Sequence, residues 1–232
     1  MRRYVLAALL IAATALAAGG GAAALLQVTS ARLPTQTFTD VVGTATLVPN
    51  ADKANPASSG RKWTNQAGTE CGTTSTSTIC SSTIDERLTP TDPLNNNDYI
   101  QSKSNPPHSE YVEFELEDAP SDLAQAGRMT VRFWASKDDS GGRRVDVTVE
   151  VYRRVEATSS LVMSCSASDL GGPGTLGPTP TRTCTQGIDP LSKTDVDGLF
   201  IRIFAATSGG GASRQARVTN VLVDIDYVRS NP

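Results

Sequence analysis

The stretch Met129-Thr130-Val131-Arg132-Phe133-Trp134-Ala135-Ser136, followed by Asp138-Asp139-Ser140-Gly141-Gly142 and then Val145-Asp146-Val147-Thr148-Val149-Glu150-Val151-Tyr152, decides the fold class. Apolar and polar residues alternate on both sides of a Gly-rich turn, and a period of two belongs to a half-buried strand rather than a helix. Read locally, the two runs form a β-hairpin. Met129, Val131, Phe133 and Ala135 then share one apolar face with the four valines as its counterpart, and Trp134 falls out of phase with that face, pointing outward or into a second packing layer.

The same period extends in both directions. Val112, Phe114 and Leu116 alternate with Tyr111, Glu113, Glu115 and Glu117; Leu199, Ile201 and Ile203 alternate with Phe200, Arg202 and Phe204; Val221, Val223, Ile225 and Tyr227 oppose Asp224 and Asp226. Val218 is out of step with Val221, which predicts a bulge near Thr219-Asn220. Thr37 to Leu47 reads as a first strand, or as a strand broken at Gly43, and Pro49 to Asn97 as a long Ser/Thr/Asn-rich loop anchored by a few apolar residues. Pro120 to Gly127 resembles one helical turn, with Ser121 as N-cap and Gly127 as stop. Seven or eight antiparallel strands without crossover helices predict an all-β, two-sheet β-sandwich of jelly-roll type.

Before this domain lies Tyr4 to Leu26, an apolar, Ala- and Leu-rich run behind Met1-Arg2-Arg3. It reads as one hydrophobic helix, either a signal peptide, with small residues at Ala15-Leu16-Ala17 and Thr29-Ser30-Ala31, or a retained membrane anchor. Arg2 and Arg3 keep the N-terminus cytoplasmic, so the remainder is expected to be extracytoplasmic, secreted or anchored at the cell surface. Residues 1–31 are assigned to this segment, 32–60 to an extended N-terminal segment with the first strand, and 61–232 to the sandwich with its disulfide-bearing loops. Four cysteines agree with export. Cys71 and Cys80 bracket a Thr/Ser run, and Cys165 and Cys184 bracket the Gly/Pro stretch around Gly171 to Pro180. Local pairing, 71 with 80 and 165 with 184, has the lower entropy cost, and the bridges are expected to brace loops rather than the core. The paired Cys-x-x-Cys knuckles of a four-thiolate zinc site are absent.

Composition removes several activities. A formal net charge of −3 argues against nucleic-acid binding, and a single histidine, His108 in a Pro-Pro-His-Ser loop, removes most triads and His-based metal sites. Glu113, Glu115 and Glu117 share one strand face, whereas glycosidase carboxylates oppose each other across a cleft, so the stripe reads as a solvated face. No catalytic residue is assigned. Thr91 to Asp98 crowds oxygen ligands into a turn, and Asp92, Asn95, Asn97 and Asp98 are the candidate ligands of a structural calcium, the only cofactor considered. Trp63, Trp134, Tyr111 and Tyr152 are the aromatic rings that could stack on a sugar, with core packing as the competing role for each.

Asp98-Tyr99-Ile100-Gln101-Ser102, Phe114 to Pro120, Val131 to Ala135 and Arg217 to Tyr227 resemble, over about residues 60 to 228, extracellular bacterial and phage-associated jelly-roll domains similar in shape to galactose-binding and carbohydrate-binding modules. The resemblance implies a sandwich that binds rather than catalyses. An exported structural or adhesive surface protein is expected, with three alternatives: a carbohydrate-binding module, a filament or surface-layer subunit joined by strand addition through Leu33 to Pro49, or a membrane-anchored accessory subunit. Its expected partners are a cell-envelope component, a glycan or like subunits, and not nucleic acid.

Overall fold

A computed structural model describes residues 42–53, 63–72, 79–87, 97–155 and 158–230. The chain divides into Met1–Phe38, which lies outside the described residues together with the apolar run Tyr4 to Leu26, and Thr39–Pro232, which is the sandwich. The strands are β1 (Val42–Leu47), β2 (Pro49–Asp52), β3 (Thr64–Asn65), β4 (Ile100–Gln101), β5 (Tyr111–Leu116), β6 (Leu123–Lys137), β7 (Arg144–Val155), β8 (Thr158–Ala167), β9 (Arg182–Ser192), β10 (Leu199–Ser208) and β11 (Ala216–Arg229). A short helix, α1 (Lys193–Asp197), is closed by a Ser192/Asp195 capping box.

Two antiparallel sheets result. The first runs β3-β4-β11-β6-β9, with β1 also on β11, and the second runs β2-β5-β10-β7-β8. Their inner faces carry the alternating apolar residues: Met129, Val131, Phe133, Val221, Val223 and Ile225 from one sheet meet Val112, Phe114, Val147, Val149, Ile201 and Ile203 from the other, all fully buried. The bulge is present, as a register shift between Val218 and Asn220 opposite β6. It frees Thr219 to donate to the Trp134 carbonyl (3.3 Å) and the Asn220 amide to donate to the Glu86 carbonyl (2.7 Å).

Several local readings give way to tertiary constraints. The runs at 129–135 and 145–151 do not form a hairpin: β6 pairs with β11 and β9, β7 with β10 and β8, and the turn carries the chain from one sheet to the other. Each strand has one apolar face, and crossing over lets the two faces cover each other. The β10–β11 connection crosses in the same way, and the two arches lie side by side. Asp138 N–H donates to the Gln215 carbonyl and Gln215 N–H to the Asp138 carboxylate (both 3.1 Å), Arg214 Nε donates to the Gly141 carbonyl (2.6 Å), and Gly142, at φ +80°, leaves room for the Ala212 carbonyl where a Cβ would sit at 2.7 Å.

The expected helical turn at 120–127 is instead a tight turn at Ser121-Asp122, with Leu123 N–H donating to the Pro120 carbonyl (3.1 Å), followed by strand from Leu123. Leu123, Ala126 and Met129 recur at a helix-like spacing of three because two register shifts each insert one residue into β6, and all three side chains are buried. Gly43 does not break β1, which pairs with β11 without interruption; a Cβ there would lie 2.6 Å from the Tyr227 ring, so glycine provides the seat for that ring. The true hairpin is β7–β8, and neither β8 nor β9 announces itself by clean alternation. Residues 42–52, read as part of an N-terminal extension available to a neighbour, are strands of the chain's own two sheets, so the domain begins before residue 61.

Residues 79–87, within the long segment after β2, fill a gap. β11 is flanked by β4 at one end and β1 at the other, and between them Val221 N–H donates to the Ile84 carbonyl while Ile84 is buried in the core. The buried Asp52 carboxylate fixes this plug, accepting from the backbone N–H groups of Cys80 (3.1 Å), Ser81 (2.7 Å) and Gly72 (3.2 Å). Both disulfides pair locally, Cys71 with Cys80 and Cys165 with Cys184. They are not loop braces, however. Cys71 and Cys80 are fully buried in the main core, and Cys165 on β8 joins Cys184 on β9, so this bridge fastens the edge strand of one sheet to the edge strand of the other.

Two expectations follow from these placements. Replacing Cys165 and Cys184 together by alanine should cost about 3 kcal/mol and lower the melting temperature by roughly 10 °C, while an unchanged melting curve would show that the inter-sheet staple contributes nothing. Glu86, in the plug, has its carboxyl pushed up to about 7 by burial and by the nearby Asp98 and Asp85 carboxylates, which are themselves raised mainly by burial. A raised carboxyl binds its proton more tightly folded than unfolded, so its contribution is greatest below the ordinary carboxylate range and is lost as pH rises toward 7. Melting temperatures of wild type and Glu86→Gln across that window should converge at low pH and diverge at neutral pH, with the variant the more stable; parallel curves would contradict the assignment.

Candidate functional site

The outward faces of the two sheets are built differently. On the first sheet, Arg132 holds Asp224 through two hydrogen bonds (2.8 and 3.0 Å), Asp224 and Asp226 accept from Thr46 (2.6 Å) and Thr44 (2.9 Å), and Thr130 meets Thr185. Beside this network Trp134 packs with Leu222 and Val48 beneath Leu176 of the β8–β9 connection, and its indole N–H donates to the Pro178 carbonyl (3.3 Å). Trp134 is 2% exposed and Trp63, in the main core, is also 2% exposed, so neither ring is open to a sugar. The parity of Trp134 does place it outside the inner core, but the connecting loop closes over it.

The second sheet keeps aromatic rings on its outer face. Register sets Phe204 between Tyr111 and Thr148, Arg202 between Glu113 and Glu150, and Phe200 between Glu115 and Tyr152. The Arg202 guanidinium lies over the rings of Tyr152 (4.4 Å), Tyr111 (4.7 Å) and Phe200 (5.4 Å), and its Nε donates to Glu113 (2.9 Å). Tyr152 stacks on Phe200 (5.5 Å, 13° between planes), Tyr111 tilts against Phe204 (5.2 Å), and the exposed His108 stacks on Phe204 (5.4 Å). Tyr111, Tyr152 and Phe204 keep part of their surface in water, whereas Phe200 is buried beneath Tyr152, Arg154 and Arg202. Burial, reinforced by the hydrogen bond its hydroxyl donates to Glu150 (2.6 Å), pushes Tyr152 above the usual phenol range, so it stays a neutral donor.

The acidic stripe is therefore not simply solvated. Glu113 is 8% exposed and paired with Arg202, Glu115 with Lys53 and Arg154, and Glu117 with Arg87. Of the four aromatic candidates, the structure brings Tyr111 and Tyr152 together around Arg202. Sequence reasoning missed Phe200, Arg202 and Phe204 as their companions, although Ile201 and Ile203 facing inward already put all three on the opposite face.

A second concavity, of about 310 Å³, lies at the β3–β4 edge and is lined by Thr64, Glu70, Gln101, Lys103 and Gln215 among others. Of the calcium candidates, Asp92 and Asn95 lie outside the described residues; Asp98 accepts a hydrogen bond from Gln66 and stands near Glu86, and among the described residues no three carboxylate, imidazole or thiolate groups converge as a metal site.

No protein-family model matches the chain, and no curated protein does. Among solved structures, the chain is similar to CBM32 of AlyQ in complex with 4,5-unsaturated mannuronic acid, at 11% identity and a TM-score of 0.31, over 74% of this chain and 96% of that one. It is also similar to TmCBM61 in complex with β-1,4-galactotriose, at 13% identity and a TM-score of 0.25, over 54% of this chain and 68% of that one. With overlap this low, the sugars belong to those two modules alone.

Proposed function

We propose that the sandwich is a non-catalytic glycan-binding module, on an exported protein, that holds a polysaccharide across the outer face of its β2-β5-β10-β7-β8 sheet. The observation that carries this reading is the strip Tyr111–Phe204, Arg202, Tyr152–Phe200, in which two aromatic pairs flank a guanidinium on an outward face. Folding alone gives no reason to place rings there, since the inner face of the same strands already supplies the core. Partly exposed rings offer flat apolar surfaces to the C–H faces of sugars, and the adjoining Glu113, Glu150 and Arg202 offer acceptors and donors for hydroxyl groups. The two pairs stand four residues apart along β10, roughly 13 Å, which suits a short run of sugar units rather than one ring. Two disulfides suit an oxidising, extracytoplasmic compartment, where adhesion to an envelope glycan is the corresponding biological role.

Catalysis finds no support in this arrangement. The carboxylates of the strip lie side by side on one sheet face and are engaged by Arg202 and Tyr152, without the opposing walls a glycosidase needs. The test is affinity electrophoresis of the full chain through gels containing soluble plant and bacterial-envelope polysaccharides. At least one polymer should retard it, and Tyr111→Ala/Tyr152→Ala, with its circular dichroism unchanged, should lose about tenfold or more in affinity, as two stacking contacts imply. Free migration through every polymer, or equal retardation of the double variant, would overturn the proposal.

A further inference from the structure

The concavity at the β3–β4 edge has a chemistry unlike that of the aromatic face. One wall is the tight hairpin Thr64 to Glu70, held by Asn65 N–H donating to the Thr69 carbonyl (2.9 Å), Thr69 N–H donating to the Asn65 side chain (2.9 Å) and Gly68 turning the chain at φ +81°. The hairpin is tied down on its far side by Cys71, whose N–H donates to the Trp63 carbonyl and whose sulfur is bonded to Cys80. Beside it, β4 pairs directly with β3, Thr64 opposite Gln101, and continues into Ser102 and Lys103 next to the approach to β11. The N–H of the buried Ser102 donates to the Ala216 carbonyl (3.0 Å), the Ser102 hydroxyl accepts from the Ala216 N–H (2.9 Å), and the Ser102 carbonyl accepts from the Gln215 side-chain amide (2.8 Å). The concavity is thus bounded by a disulfide-tethered turn and by sheet backbone, so it is pre-formed rather than created by a ligand.

From this lining we propose a second binding site, for one neutral polyhydroxylated unit such as a single sugar ring or a small polyol. Its volume of about 310 Å³ stands at the lower end of ligand pockets. The side chains that line it include a hydroxyl (Thr64), a carboxylate (Glu70), two amides (Gln101 and Gln215) and an ammonium (Lys103), a mixture of donors and acceptors that matches adjacent hydroxyl groups. No aromatic or aliphatic side chain belongs to the lining, which disfavours apolar ligands. Lys103 is paired with the buried Glu110, which leaves no surplus cation for an anion, and Glu70, the one carboxylate of the lining, falls short of the ligand set a metal ion needs. Without a stacking surface the affinity falls in the millimolar range.

This site is independent of the aromatic face, and its test keeps the two apart. Saturation-transfer NMR on the full chain, in a detergent without sugar headgroups, is run with galactose, glucose, mannose, fucose and glycerol up to about 100 mM. Signal is expected for at least one of them. Gln101→Ala should weaken it about tenfold, Gln101→Trp, which fills the concavity, should abolish it, and Tyr111→Ala/Tyr152→Ala should leave it unchanged. Absence of signal for all five compounds, persistence of signal in both Gln101 variants, or its loss in the tyrosine double variant would each overturn the proposal; the last would return small sugars to the aromatic face.

Discussion

The structure depends on two apolar sheet faces holding each other out of water. β5, β6, β7, β10 and β11 each offer one such face, and the one α-helix among the described residues, α1, is five residues long, so the face of each sheet is covered by the other. This explains why β6 and β7, and again β10 and β11, cross between sheets instead of pairing, and why the two arches are knitted to each other through Arg214, Asp138 and Gln215. A hairpin at either position would have placed two apolar faces on the same side of one sheet and left the other sheet without its central strands.

A sandwich built this way has open sides, and the cysteines meet two of them. At one, β8 and β9 are edge strands of opposite sheets that share no ladder, and the Cys165–Cys184 bridge joins them beside a hydrogen bond from the Gln186 side chain to the Val162 carbonyl (3.3 Å). At the other, β1 and β4 leave part of β11 without a strand neighbour, and the plug around Cys80 and Ile84 supplies the missing contacts. Asp52 makes that plug permanent by turning its buried carboxylate toward three backbone N–H groups, a charge-assisted arrangement whose loss would leave those donors unsatisfied. Glu86 lies in the same plug with Asp85 beside it and Asp98 nearby, and burial raises all three carboxyls.

The outer faces show how the fold leaves room for function. On the first sheet, salt bridges, threonine hydroxyls and the β8–β9 connection cover the surface and absorb Trp134. On the second, the outward positions of β5, β7 and β10 keep rings partly in water, at a cost in exposed apolar surface that core packing does not require. Tyr111 and Tyr152 from the two neighbouring strands, and a loop histidine, gather beside Phe200, Arg202 and Phe204 from parts of the chain up to about a hundred residues apart, and the sheet register sets the two tyrosines there.

Alternation alone determined the inner faces of β5, β6, β7, β10 and β11, the bulge before Val221 and the two-sheet class, because a period of two is a local property of the backbone. Local pairing of the cysteines was legible for the same reason, through short loop closure. Partnership between strands was decided only by tertiary structure. The arches look like hairpins, the doubly bulged start of β6 imitates a helix, and β8 and β9 take their place from pairing with neighbours rather than from pattern. The site divides in the same way. Tyr111 and Tyr152 carried a residue-type signal, while the burial of Trp63 and Trp134, the stacking of Arg202 between two tyrosines, and the polar concavity of Thr64, Glu70, Gln101 and Gln215 arise from contacts across distant strands, which no window of sequence contains.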